Sequence, residues 1–198
     1  DARSTTPPDG SKGWHLEHAD FTRWFPLASE VSFRADLIAM NPPFSLSWYV
    51  ARLGALGRSH IEAVADTFSA YRQKKTIDST LASLLMAVHL LSGNGNGFMV
   101  CNADTARRLL GDPRDADATP SPIRRHIWCW LDIPGAVFEG VQTAFDTAVL
   151  YFSASHGQRN YASDPPLYLA ATSPAPDSVA ATLTTARTSR PFAHKGRC

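Results

Sequence analysis

Nowhere in the chain is there an apolar run long enough to cross a bilayer, and the N-terminal stretch lacks the basic-then-apolar pattern of a secretory leader. Cysteine is scarce. Cys101, Cys129 and Cys198 are an odd number with no short pairing or ligand spacing, which argues against a disulfide framework and against a zinc site. Cys101 and Cys129 fall inside apolar runs and read as core thiols. The expected setting is a reducing, soluble (cytoplasmic) compartment with no membrane partner. Charge is sparse as well: 19% of residues are charged and the formal net charge is +1, so overall charge does not favour a polyanionic partner. Acids disappear after Asp177, while Arg187, Arg190, Lys195 and Arg197 follow, which reads as a phosphate-contacting arm or a solvated tail. The seven histidines do not cluster. His15 and His18 stand three apart and would point to opposite faces of a strand, so no metal site is expected. What is present is a hydrophobic content of 44% over 198 residues, enough for one sizeable core.

The rest of the chain is organised around residues 36–44. Asp36 to Met40 is a short apolar run that reads as a strand buried on both faces, and Asn41-Pro42-Pro43 stops it, because two prolines cannot continue a ladder. In an open parallel sheet the carboxyl end of a strand is where ligands bind. The Asn41 side-chain oxygen and the Pro42 carbonyl are two acceptors suited to the two N–H bonds of a conjugated amino group. Accepting both would draw that nitrogen toward tetrahedral geometry, with stabilisation growing as positive charge develops. Phe44 would stack on the planar ring. Asn41-Pro42-Pro43-Phe44 resembles the catalytic motif of the S-adenosylmethionine-dependent amino-methyltransferases, above all the DNA adenine methyltransferases.

That resemblance implies an α/β fold: a Rossmann-like methyltransferase sheet, mostly parallel with a terminal antiparallel hairpin, here incomplete at its N-terminal side. It implies S-adenosylmethionine as cofactor and DNA as partner, with the target base swung out of the duplex. A role in restriction-modification, or in other conflict with mobile elements and phage, follows from it. By position in the pattern, Asp20 and Phe21, at the end of a strand from Trp14, would contact the adenine of the cofactor. Phe138, in the fragment Leu131-Asp-Ile-Pro-Gly-Ala-Val-Phe138, would help wall the extruded base.

Other segments are placed by pattern. Trp48 and Tyr49 stand near the motif. Ser59 and Glu62 form a capping box before Ile61, Val64, Phe68 and Tyr71, predicting a helix within an insertion over about residues 45–75. Ile77, Leu81, Leu84, Leu85, Val88 and Leu91 share one face of a second helix closing at Ser92-Gly93. Gly93 to Gly97 reads as a turn. It follows a helix and precedes a strand, the reverse of a nucleotide-binding loop, so that role is set aside. Strands are expected at 97–102, 127–133 and 147–152, a helix at 105–110, and an edge strand near Pro165 to Leu169. The expected division is residues 1–153 as a partial methyltransferase domain and 154–198 as a Pro/Ser/Ala/Thr-rich tail or linker.

The resemblance covers roughly residues 14–153, and the family's glycine-rich cofactor loop has no counterpart here. An upstream segment or a subunit supplying that loop is therefore an expected partner; Asp1 in place of Met fits an excised piece. The alternatives are a non-catalytic DNA-binding or assembly subunit that kept the fold, and a methyltransferase acting on RNA or on protein glutamine.

Overall fold

A computed structural model describes residues 19–20, 24, 28, 32–43, 46–49, 76–115, 122–136, 145–155, 166–171 and 176–188. Its strands are β1 (Ala35–Met40), β2 (Ser47–Tyr49), β3 (Thr76–Asp78), β4 (Leu91–Asn102), β5 (Ile127–Ile133), β6 (Thr147–Ser153) and β7 (Leu167–Ala170). Its helices are α1 (Ser79–Leu90), α2 (Ala103–Leu110) and α3 (Pro176–Thr188). The main sheet runs β1-β4-β6-β5-β7, and β2 pairs with β3 in a separate antiparallel ribbon. β1 is parallel to β4 and β5 is parallel to β7, while β6 is antiparallel to both of its neighbours. Four strands of the main sheet thus point one way and β6 alone runs back.

The β5–β6 pair is the antiparallel hairpin expected from the two apolar runs. It lies inside the sheet, because β7 adds a further parallel strand outside β5. All seven residues of β5 are buried, as a strand covered on both faces requires. β1 corrects the reading of residues 36–40. Asp36, Leu37 and Ala39 are exposed and Leu37 is 68% accessible. Among the described residues β1 has only β4 beside it, and no described element covers Leu37. Only its other face, with Ile38 and Met40, packs on the core.

The helix ends follow local chemistry. Asp78 caps α1 by accepting from the Thr80 N–H at 2.8 Å, and Asn102 caps α2 by accepting from the Thr105 N–H at 2.9 Å. α2 stops at Gly111, whose φ of 86° suits glycine and whose N–H returns to the Arg107 carbonyl at 2.8 Å. Ile77 belongs to β3 and not to α1, and α1 closes at Leu90, two residues before Ser92. α1 is also buried almost all round, Ser79, Thr80 and Ser83 included. A single apolar stripe was too narrow a description of it.

The glycine-rich stretch is not a free turn. β4 already begins at Leu91, and between the pairs Ala35–Leu91 and Leu37–Asn96 it advances five residues while β1 advances two. A Cβ on Gly95 would sit 2.8 Å from the Ala35 carbonyl oxygen, and one on Gly97 would overlap the ring of Phe152 and lie 3.0 Å from the Ile38 carbonyl oxygen. The glycines let a bulged strand pass close to its neighbours.

Residues 176–188, part of the stretch read as a polar tail, form α3. Its Val179 packs against Leu131, Ile133 and Val149. Among the described residues no helix is long and apolar enough to cross a membrane.

Candidate functional site

A cavity of about 630 Å³ runs along β1, from Phe33 before it to Pro43 past its carboxyl end. Its walls come from β1, from Asn41, Pro42 and Pro43 just past it, from Trp48 of β2, from one side of α1 at Ser83, Ala87 and Leu90, and from Asp20, Trp24 and Phe33 upstream. Asp20 and Asn41, two residues singled out from sequence and 21 positions apart, therefore face one hollow. Pro42 is buried, while Asn41 and Pro43 are exposed. Phe44, Phe21 and Phe138 lie outside the described residues, as do His15, His18 and the 59–72 helix.

The turn is held from behind. The Ser79 hydroxyl donates to the Pro43 carbonyl at 2.7 Å, and the Ser79 N–H donates to the Leu46 carbonyl at 2.8 Å. The first residue of α1 thus fixes the backbone on both sides of Phe44. Among the described residues none hydrogen-bonds the Asn41 side chain, so its amide stays available to a ligand.

Sequence reasoning missed the aromatic wall. Trp24 and Phe33 meet edge to face, ring centroids 5.7 Å apart and planes at 74°. The Trp24 backbone N–H donates to the Asp20 carbonyl four residues back at 2.9 Å. The available signal was the spacing: an aromatic four residues after Asp20, and another two before β1.

Fit to S-adenosylmethionine is partial. Trp24, Phe33, Asp20 and Asn41 are among the lining, which is otherwise mostly apolar. Among the described lining residues none is cationic, so nothing there pairs with the carboxylate of the cofactor's amino-acid portion.

A polar network occupies the same edge of the sheet two strands beyond β4. Asp132, near the end of β5, accepts from the Trp130 indole N–H at 2.8 Å and the Tyr168 hydroxyl at 2.7 Å, and pairs with the Arg107 guanidinium. Burial alone would lower the pKa of Arg107, but the hydrogen bond and charge of Asp132 outweigh it and raise it. Burial likewise pushes up the Tyr168 hydroxyl, helped by its bond to Asp132. Arg114 lies over the Tyr168 ring at 6.0 Å and pairs with Asp112.

The hydrogen bond from the Arg114 guanidinium takes Asp112 from 3.8 down to about 2. A carboxylate depressed in the folded state stabilises the fold above its unfolded pKa and loses that contribution as pH falls through the folded one. The pair's contribution should therefore be complete above about pH 5 and gone near pH 1. Arg114 is largely exposed, so the effect is small. Acid unfolding of Arg114→Ala should differ from the parent at about pH 5 and converge with it toward about pH 1; curves that stay parallel throughout would sink the assignment.

Cys101 is pushed up to about 12, by burial first and then by the charges of Asp132 and Asp78. Burial does the same to Cys129. Both are protonated, inert thiols.

The mixed sheet, with its parallel strands and antiparallel hairpin, makes the fold α/β. No sequence-family model and no curated protein matches the chain. Solved structures do. A modification subunit assigned to a type I restriction enzyme from Vibrio vulnificus YJ016 superposes with a TM-score of 0.53 at 16% identity, over 88% of this chain and 36% of that one. The methyltransferase subunit of the type I restriction-modification system from Streptococcus thermophilus gives 0.47 at 20% identity, over 72% and 28%. A Listeria monocytogenes protein assigned as a class I S-adenosylmethionine-dependent methyltransferase gives 0.43 at 13% identity, over 77% and 42%. The Vibrio likeness shows a shared fold. The chain spans less than half the length of each of these neighbours.

Proposed function

We propose that this chain is the catalytic-motif half of an adenine-type DNA amino-methyltransferase domain. The observation that carries the reading is the convergence of Asp20, Asn41, Pro42 and Pro43 on one aromatic-walled cavity that runs along a parallel strand and past its carboxyl end. The Asn41 side-chain oxygen and the Pro42 carbonyl would each accept one N–H of the target amino group. The nitrogen lone pair is then freed from conjugation as the N–C bond forms and the C–S bond breaks, and one N–H proton is afterwards released to water. S-adenosylmethionine, when bound, supplies the electrophilic methyl. Asp20 would hold the cofactor's adenine amino group, with Phe21 beside it; Phe44 and Phe138 would stack on and wall the flipped base. Extruding that base costs a few kcal/mol, offset by this stacking and hydrogen bonding.

An upstream segment or subunit that carries the glycine-rich cofactor loop would complete the cofactor pocket. Calorimetric titration with S-adenosylmethionine tests the reading, using the chain alone and then mixed with a loop-bearing polypeptide from the same source. Binding in the mixture, weakened at least about tenfold by Trp24→Ala through the loss of ring stacking, is the expected result. No heat of binding under either condition would leave an assembly or DNA-binding subunit as the better account.

A further inference from the structure

Proline leaves the Asn41-Pro42-Pro43 turn little freedom of its own. The rings of Pro42 and Pro43 fix φ near about −65°. Each also holds the residue before it, Asn41 and Pro42, to an extended ψ. The loose joints are therefore the φ of Asn41 and the ψ of Pro43. The first lies where β1 ends, with Met40 still paired to Met99 of β4. The second turns the Pro43 carbonyl, and this is the carbonyl that accepts the Ser79 hydroxyl at 2.7 Å. Neither proline has an N–H with which to tie the turn down from within, so the hold comes from α1.

The two proline carbonyls are used differently. Pro42 is buried, yet among the described residues no donor reaches its carbonyl, whereas the Pro43 carbonyl is engaged. Ser79 has no solvent access, and its N–H is committed to the Leu46 carbonyl at 2.8 Å, so the hydroxyl is carried on a fixed backbone. Asp78 secures that backbone in turn: it caps α1 at the Thr80 N–H and meets Arg108 of α2 at 3.3 Å.

We infer that Ser79 is a positioning residue for methyl transfer. By fixing the Pro43 joint, its hydroxyl makes Asn41-Pro42-Pro43 one rigid unit held at both ends, by β1 and by α1. The Asn41 amide and the free Pro42 carbonyl are then presented together to the target amino group. The inference rests on the amino-methyltransferase reading above. Ser79 does not line the cavity and acts only through the Pro43 carbonyl. Without the hydroxyl the unit keeps its anchor at β1 and pivots about it, and a misplacement of about 1 Å in such groups costs about 10²-fold in rate. The backbone bond from Ser79 to Leu46 survives a change of side chain, so the loss falls on the aim of the turn more than on the fold.

The test is Ser79→Ala in the assembly that binds S-adenosylmethionine, with incorporation of labelled methyl into DNA giving kcat and calorimetry giving the cofactor affinity. The expected result is a kcat about 10- to 100-fold below the parent, with the affinity for S-adenosylmethionine unchanged. Ser79→Cys fills the same space with a weak donor and should show the same split, so the test survives an alanine variant that fails to fold. Arg107→Ala, which loosens α2 without touching the turn, should lower the unfolding midpoint and leave kcat at the parent's value. A kcat within about threefold of the parent for a folded Ser79 variant overturns the inference, as does an equal loss in Arg107→Ala, because the rate would then follow stability. In both cases a parent that methylates DNA and an inactive Asn41→Ala leave the methyltransferase reading standing. A parent that transfers no methyl group sinks that reading and this inference together.

Discussion

Replacing Asn41 with alanine should lower methyl transfer by about 10²–10³-fold, the loss typical of deleting one preorganised group aimed at developing charge. The effect belongs to the rate and not to the fold. Asn41 is exposed, it sits past the end of β1, and among the described residues nothing hydrogen-bonds its side chain. Surface positions of that kind change stability by about 0.5 kcal/mol or less. The backbone of the turn is fixed independently by Ser79, through the Pro43 and Leu46 carbonyls. The variant should therefore unfold at the parent's urea midpoint and bind S-adenosylmethionine with unchanged affinity. Incorporation of labelled methyl into DNA, in the assembly that binds the cofactor, is the measurement. Asn41→Asp keeps an acceptor at the same place and should retain at least about ten times the activity of the alanine variant, since an ionised acceptor makes the stronger hydrogen bond. A loss below tenfold for Asn41→Ala, with the fold intact, would remove this residue from the chemistry.

How far the chain discloses itself depends on where its information lies. The largely apolar runs at 127–133 and 147–152 mark β5 and β6, because a strand covered on both faces needs no alternation. The Asn-Pro-Pro sequence ends β1 where a ladder must end. The same apolar signal misled at β1, since composition cannot show which face of a strand is covered, and among the described residues nothing lies over Leu37. β1 reads like β5 and yet leaves Leu37 in solvent. α3 was hidden for another reason. Its apolar anchoring is slight, Val179 packing on the core while Leu183 stays exposed, and its threonines satisfy themselves within the helix: Thr182, Thr184 and Thr185 donate to the carbonyls four residues back at 2.8 to 3.0 Å. A Ser/Ala/Thr-rich stretch with so short a stripe has the composition of a linker. In the site, Asn41 and Pro42 were legible because a local turn makes them; the Trp24 and Phe33 wall was not, because it comes from packing across the chain.

The same distinction governs the largest stability effect, which falls on a residue with no sequence signature. Within β5, Asp132 interrupts an apolar run, and its partners come from three elements: Trp130 two residues earlier on the same strand, Tyr168 on β7 and Arg107 on α2. Its own carbonyl also accepts from the Ala171 N–H at 3.0 Å. Asp132→Ala strands the indole N–H of Trp130, a residue with no solvent access, and leaves the Arg107 cation and the Tyr168 hydroxyl without their acceptor. Breaking a buried pair from one side costs about 3–5 kcal/mol. Arg107 remains 21% accessible and can turn partly to water, which puts the expectation near the lower end, about 3 kcal/mol. For a chain of this size that is a fall in Tm of about 6–12 °C. Arg107→Ala should cost less, about 1–2 kcal/mol, because Asp132 keeps Trp130 and Tyr168 as donors. The double variant should cost less than the sum of the two, since the shared bond is lost only once. Urea midpoints followed by far-UV circular dichroism measure all three. A loss under 1 kcal/mol for Asp132→Ala, or strict additivity in the pair, would mean that β7 and α2 are held to β5 by apolar packing and not by this carboxylate.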